Sequence, residues 1–151
     1  MIEQRFESVL DAPVADVWRR AVSVAGLKDE MRPLLRMTLP GNLQSLEDLD
    51  IQPPQMLYRS RLLLLGFIPG GVSELTMVDW QPGYRFVEQS PMTGMQSWQH
   101  TRTVVAEGDA TRVIDELRYE PQVMAAITGK IVAWFFRHRH KRLRAYFSSQ
   151  V

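Results

Sequence analysis

Four ionisable residues stand out by type and spacing: Glu88, His100, Arg102 and Asp115. All fall in a run of β-forming segments between Tyr84 and Tyr119. A histidine exchanges protons near neutral pH, and a neighbouring carboxylate tunes it. On one face, His100 could act as acid or base with Glu88 or Asp115 beside it. Arg102 could hold a ligand carboxylate or pair with Asp115. Such a set could promote an aldol-type cyclisation or a dehydration. It could equally be an internal network of ion pairs and hydrogen bonds that satisfies buried polar groups.

The elements that must position these groups read as three antiparallel strands: Y-R-F-V-E-Q-S, S-W-Q-H-T-R-T-V-V and T-R-V-I-D-E-L-R-Y. Pro91–Gly94 and Glu107–Ala110 form the turns between them. Side chains alternate at period two. Pairing Ser90 with Gln96 puts Glu88 opposite Trp98 and Phe86 opposite His100. Pairing Ala106 with Thr111 puts Arg102 opposite Asp115, His100 opposite Leu117 and Trp98 opposite Tyr119. One face then holds the four ionisable groups among Tyr84, Phe86, Trp98, Val104, Val113, Leu117 and Tyr119. A face that mixes apolar and ionisable side chains suits a lined cavity.

Elsewhere, Glu3–Leu10 predicts a first strand. Pro13 suits a helix start, with Asp11 as its cap, and Val14, Val17, Trp18, Ala21 and Val22 recur at helical spacing. Leu27–Met37 predicts a second short helix, with Leu27, Met31, Leu34 and Leu35 inward. Residues 43–55 show no clean period. Tyr58–Ile68 predicts a strand covered on both faces, turned by Pro69-Gly70-Gly71 into a strand at Val72–Trp80. From Gln122 to Tyr146 there is no proline. Val123, Met124, Ile127, Ile131, Trp134, Phe135, Leu143, Tyr146 and Phe147 form an apolar stripe there. Gly129 in this helix would admit a close strand or leave room for a ligand. Strands in series with helices before and after them indicate an α+β domain.

The 151 residues fit one domain, 1–151, with one core. The 45% hydrophobic and 23% charged content is that of a soluble globular chain. The absence of cysteine rules out disulfides, thiolate nucleophiles and zinc–thiolate sites. The polar start lacks the apolar core of a signal peptide, and no apolar run approaches the roughly 20 residues of a membrane span. A cytoplasmic location is expected. Net charge is +1, but residues 121–151 hold six cations and no acid.

Several blocks resemble, in order, the START-like helix-grip superfamily, also called SRPBCC or polyketide cyclase/dehydrase-like, which includes lipid-transfer domains and the birch-pollen allergen. They are R-F-E-S-V-L-D-A-P-V-A-D-V-W, L-L-G-F-I-P, D-W-Q-P-G-Y-R-F-V-E-Q, S-W-Q-H-T-R, T-R-V-I-D-E-L-R-Y-E-P and F-F-R-H-R-H-K-R-L. The chain is most similar to small bacterial ligand-binding members. The resemblance implies a curved antiparallel sheet wrapped around a long C-terminal helix. It also implies a cavity between them for a hydrophobic or amphipathic small molecule, a lipid or polyketide-like compound. The residues offered to that cavity are Phe86, Glu88, Trp98, His100, Arg102, Asp115, Leu117, Tyr119, Ile127, Ile131 and Trp134. Met92 and Met95 would form a soft pocket mouth. The superfamily also holds cyclases and hydrolases, so His100 with Glu88 or Asp115 stands as an enzymatic alternative.

Other classes find little support. His138 and His140 are two apart, which sends their rings to different sides of a helix, and no metal site is expected. Gly66-x-x-x-Gly70-Gly71 lacks the lysine and hydroxyl residue of a phosphate loop. No cofactor is expected, nor a nucleic-acid partner. The basic run R-H-R-H-K-R-L-R suits either a solvated helix end or transient contact with an anionic membrane surface.

Overall fold

The computed structural model describes residues 1–149. Strand β1 (Ile2–Leu10) leads into α1 (Val14–Ala21), α2 (Val24–Met31) and a short strand β2 (Leu35–Met37). Strands β3 (Gln55–Leu64), β4 (Ile68–Gln81), β5 (Arg85–Gln89), β6 (Met95–Glu107) and β7 (Ala110–Pro121) follow, and α3 (Ala125–Ser149) closes the chain. Among the described residues these strands form one antiparallel sheet in the order β1-β7-β6-β5-β4-β3-β2. The sheet curls around α3, whose 25 residues reach roughly 38 Å at 1.5 Å per residue. The architecture is α+β and fits a helix grip.

The β6–β7 register is the one that the hydrophobic alternation requires. Ala106 pairs with Thr111, Arg102 with Asp115, His100 with Leu117 and Trp98 with Tyr119. The β5–β6 register is displaced by two residues from the expectation: Glu88 faces His100 and Phe86 faces Arg102. A shift of two keeps every side chain on its face, so the inward set survives.

Five local expectations are corrected. The second helix ends at Met31, and Leu35–Met37 instead pairs with Leu62–Leu64 as an edge strand. The turn after β3 lies at Leu65–Phe67, while Pro69, Gly70 and Gly71 belong to β4. Leu64, Leu65, Phe67 and Ile68 are exposed at that hairpin, so the expected two-sided cover fails there. Pro13 itself occupies the cap position of α1, with no side-chain capping bond. Val123 and Met124 precede α3 and are exposed, and on α3 Ile127, Ile131 and Trp134 are exposed too, whereas Ala133, Phe136, Leu143 and Phe147 are buried.

α3 seats mainly against β1 and α2. Gln4 on β1 bridges it to the sheet: its amide donates to the Gly129 carbonyl at 3.0 Å and accepts from the Tyr119 hydroxyl at 2.8 Å. Gly129 thus serves close approach of a strand, since an added Cβ would already touch Ile2 at 3.4 Å. α2 is held by a tight corner. Ser23 caps it by accepting from the Gly26 amide at 3.0 Å, and a Cβ on Gly26 would fall 2.0 Å from the Arg20 carbonyl oxygen.

Backbone cannot yield as a side-chain tip can. Gly26→Ala should therefore lower unfolding free energy by about 1–3 kcal/mol or more in denaturant melts. Gly41→Ala, with nothing within 4 Å of the added carbon, serves as control and should change it little.

Candidate functional site

Arg102 on β6 projects into the interior with 1% of its surface exposed. A buried guanidinium needs acceptors for its fork of donors. Its Nη1 and Nη2 donate to the two oxygens of Glu30 at 2.9 and 2.7 Å. Its Nε and Nη2 donate to the two oxygens of Asp115 at 2.8 Å each. Glu30 and Asp115 are as buried as the arginine. Arg139 on α3 adds a second cation, with Nε donating to Glu30 at 3.2 Å. Burial alone would raise the pKa of both acids. The guanidinium of Arg102 outweighs it, holding Asp115 well below and Glu30 below the usual carboxylate range.

An ionised carboxylate only accepts, so both histidines on Asp115 carry hydrogen at Nε2. His100 Nε2 donates to Oδ1 at 2.6 Å and His140 Nε2 to Oδ2 at 2.7 Å. The other nitrogen of His100 faces Glu88 at 3.5 Å, and Trp98 Nε1 donates to the same Glu88 oxygen at 3.3 Å. Burial disfavours the imidazolium, but Asp115 and then Glu88 more than restore it, so the His100 pKa is raised above 6.5. Its ring is wedged between Phe86 and Phe136 in edge contacts, with centroids 5.8 and 5.3 Å away.

A serine–histidine–aspartate chain is also present. Arg144 donates to Ser8 Oγ at 2.9 Å, and Ser8 lies 2.6 Å from His140 Nδ1. None of these groups lines the cavity described next; the chain ties β1, β7 and α3 together.

Because α3 lies over the β1–β7 side, the opposite half of the sheet is left unfilled. The resulting cavity measures about 480 Å³, within the usual range for small-molecule sites. Its walls are mostly apolar, including Leu75, Met77, Phe86, Val132 and Phe135. Tyr58, Ser73, Glu88, His100, Arg102 and Arg139 supply polar lining. Leu64, Leu65, Ile131 and Trp134 line it while remaining exposed, which places a mouth between the β3–β4 hairpin and α3. Met92 and Met95 line it too.

Of the residues singled out from sequence, Phe86, Glu88, Trp98, His100, Arg102, Ile131 and Trp134 meet at this cavity. Asp115 sits directly behind it, bonded to His100 and Arg102. Leu117 and Tyr119 pack beneath Phe136 in a core cluster, and Ile127 is exposed on the outer side of α3. Tyr58, Glu30 and Arg139 are additions. Glu30 recurs with Leu27, Met31 and Leu34, and Arg139 with Phe136, Leu143 and Phe147, at helical spacing. That placement of a charge on an apolar stripe was the available signal. The basic end is drawn inward only in part: Arg139 and His140 are buried, His138 donates to the Arg32 carbonyl and Arg142 pairs with Asp29 at 2.6 Å, while Lys130, Arg137, Lys141 and Arg144 are exposed.

Over residues 8–147 the sequence matches the family described as a domain of unknown function, DUF8410. The chain belongs to that family. No curated protein matches it. Protein CV1439 from Chromobacterium violaceum has a similar solved structure, with 16% identity, 96% of each chain covered and a TM-score of 0.73. Ara h 8.0201 is similar at 9% identity, 98% of each chain and a TM-score of 0.66. DynU16, from the dynemicin biosynthetic locus, is 14% identical with a TM-score of 0.57, covering 93% of this chain and 46% of its own. Likeness at these identities establishes the helix-grip fold. Among the described residues, no helix is long and apolar enough to cross a membrane.

Two expectations follow from the network. Glu30→Gln, which removes one carboxylate charge from Arg102, should cost about 3–5 kcal/mol of stability in denaturant melts. The second concerns pH. The folded pKa values of Asp115 and Glu30 lie below their unfolded ones, so their contribution is present above the carboxylate range and fades as pH falls through the folded values. His100 is the reverse: its contribution is full below 6.5 and is lost as pH rises through its raised folded pKa. The stability difference between wild type and His100→Gln should therefore shrink as pH rises from 6 to 9, and a constant difference would contradict the charged imidazolium.

Proposed function

We propose that the chain is a single START-like domain that binds or carries a hydrophobic or amphipathic small molecule, lipid-like or polyketide-like, between the sheet and α3. The observation that carries this is the cavity: about 480 Å³, mostly apolar, opening at a rim of exposed Leu64, Leu65, Ile131 and Trp134. In this reading Phe86, Trp98, Ile131 and Trp134 contact the ligand body, and Glu88, His100 and Arg102 border its polar end. Asp115 positions the last two, while Leu117 and Tyr119 support the wall from behind. DynU16 comes from a biosynthetic locus, which agrees with a small-molecule cargo. Transient contact with an anionic membrane surface would fall to Lys130, Arg137 and Lys141, which stay exposed.

A cyclase-, dehydrase- or hydrolase-type enzyme is the alternative, favoured by one observation: His100 lines the cavity between Glu88 and Asp115. Binding is the better reading because both ring nitrogens of His100 already face carboxylates, leaving neither for a substrate proton.

Freshly purified protein studied by native mass spectrometry should carry an apolar adduct or, if bare, should take up an apolar fluorescent probe that a second apolar compound displaces. A bare mass with no probe uptake would refute the binding reading. His100→Ala should keep affinity within about tenfold. Loss of turnover with retained binding would instead select the enzyme.

A further inference from the structure

The polar groups around the cavity carry no surplus positive charge. Arg102 and Arg139 both line it, and both are committed to carboxylates: Arg102 to Glu30 and Asp115, Arg139 to Glu30. These two cations and two acids cancel. Glu88 and His100 form a second, longer pair at 3.5 Å. With His100 protonated this pair is neutral; with it unprotonated, Glu88 leaves the site negative. An acidic ligand head would thus enter a mostly apolar cavity with no spare counter-ion and a carboxylate on its wall, and desolvation opposes that strongly.

An uncharged hydroxyl meets a different site. Tyr58 on β3 and Glu88 on β5 flank β4 on its inward face, opposite Leu75 and Met77 respectively. Both line the cavity, and the charge of Glu88 acts on the Tyr58 phenol. The Tyr58 hydroxyl has no hydrogen-bond partner within the described protein. Glu88 spends one oxygen on Trp98 and His100 and leaves the other unbonded. A phenolic hydroxyl and a free carboxylate oxygen beside an apolar volume form a donor and acceptor set for a neutral alcohol or phenol.

We propose that this cavity selects uncharged apolar ligands bearing an alcohol or phenol group, held by Tyr58 and Glu88, and rejects carboxylates of the same carbon skeleton. The proposal rests on the binding reading above and names the ligand class within it.

The test measures binding of four probes, decanol, decanoate, naphthol and naphthoate, by displacement of an apolar fluorophore at pH 7. Each is run on wild type, Glu88→Gln and Tyr58→Phe, with melts confirming that the variants fold. Wild type should favour each neutral compound over its acid by tenfold or more. Any apolar pocket favours the less polar compound, so the variants decide. Glu88→Gln removes the wall charge and should narrow that ratio by about tenfold, by admitting the acids. Tyr58→Phe should weaken naphthol and decanol by about fivefold to tenfold and leave the acids unchanged. Acids binding as tightly as the neutral compounds, or ratios that neither variant moves, would overturn the selectivity while leaving the binding reading intact. No displacement by any probe, with no uptake of the fluorophore, would refute the binding reading and the proposal together. If Glu88→Gln fails to fold, the Tyr58→Phe ratios alone decide.

Discussion

The structure depends on neutralising one buried guanidinium. Arg102 sits in the middle of the sheet, where an isolated cation would be intolerable. Its acceptors come from far apart in sequence: Asp115 from the neighbouring strand and Glu30 from α2. Arg139 then ties α3 to the same Glu30, and His140 ties it to the same Asp115. The two carboxylates thereby join four elements, β6, β7, α2 and α3. Such networks add little net stability compared with well-packed hydrocarbon, but breaking one partner is costly, so the arrangement fixes geometry more than it adds free energy. Here that geometry sets where α3 crosses the sheet.

The position of α3 decides where the empty volume lies. Gln4, Gly129 and the Ser8–His140 contact draw the helix toward β1, while the aromatic cluster of Trp98, Tyr119 and Phe136 fills the space beneath it. Over the β3–β5 half, the cavity is lined by Leu27 and Met31 of α2, by Leu43 and Leu46, and by Val132 and Phe135 on the flank of α3. The inward Tyr58, Leu75, Met77 and Glu88 of that half therefore face open space. The network forms the cavity floor, and because its charges cancel internally, the floor is polar yet electrically quiet.

Much of this arrangement is legible in the sequence. Period-two alternation and the Glu107–Ala110 turn set the β6–β7 register, because a one-residue slip would turn the inward set of one strand, Val104 on β6 or Val113 and Leu117 on β7, to solvent. The same logic brought Glu88, His100, Arg102 and Asp115 to one face. The β5–β6 register differs by two from the one that alternation suggests, because alternation cannot distinguish registers that differ by a full repeat. Glu30 and Arg139 escape notice because a charged side chain on a helix normally reads as solvated, although both sit on apolar stripes. The exposure of Ile127, and of Ile131 and Trp134 at the cavity rim, is hidden for a related reason. An apolar stripe declares that something covers it or that it rims an opening, and sequence does not distinguish the two.

The most direct test is a crystal structure of the protein soaked with a brominated naphthol, read by anomalous scattering from bromine. The account predicts a bromine peak inside the cavity near Leu75, Met77 and Phe135. Arg102 should remain held between Glu30 and Asp115, with the ligand hydroxyl within bonding distance of Tyr58 or Glu88. A filled interior with no peak, or an Arg102 that leaves Glu30 to meet the ligand, would contradict it.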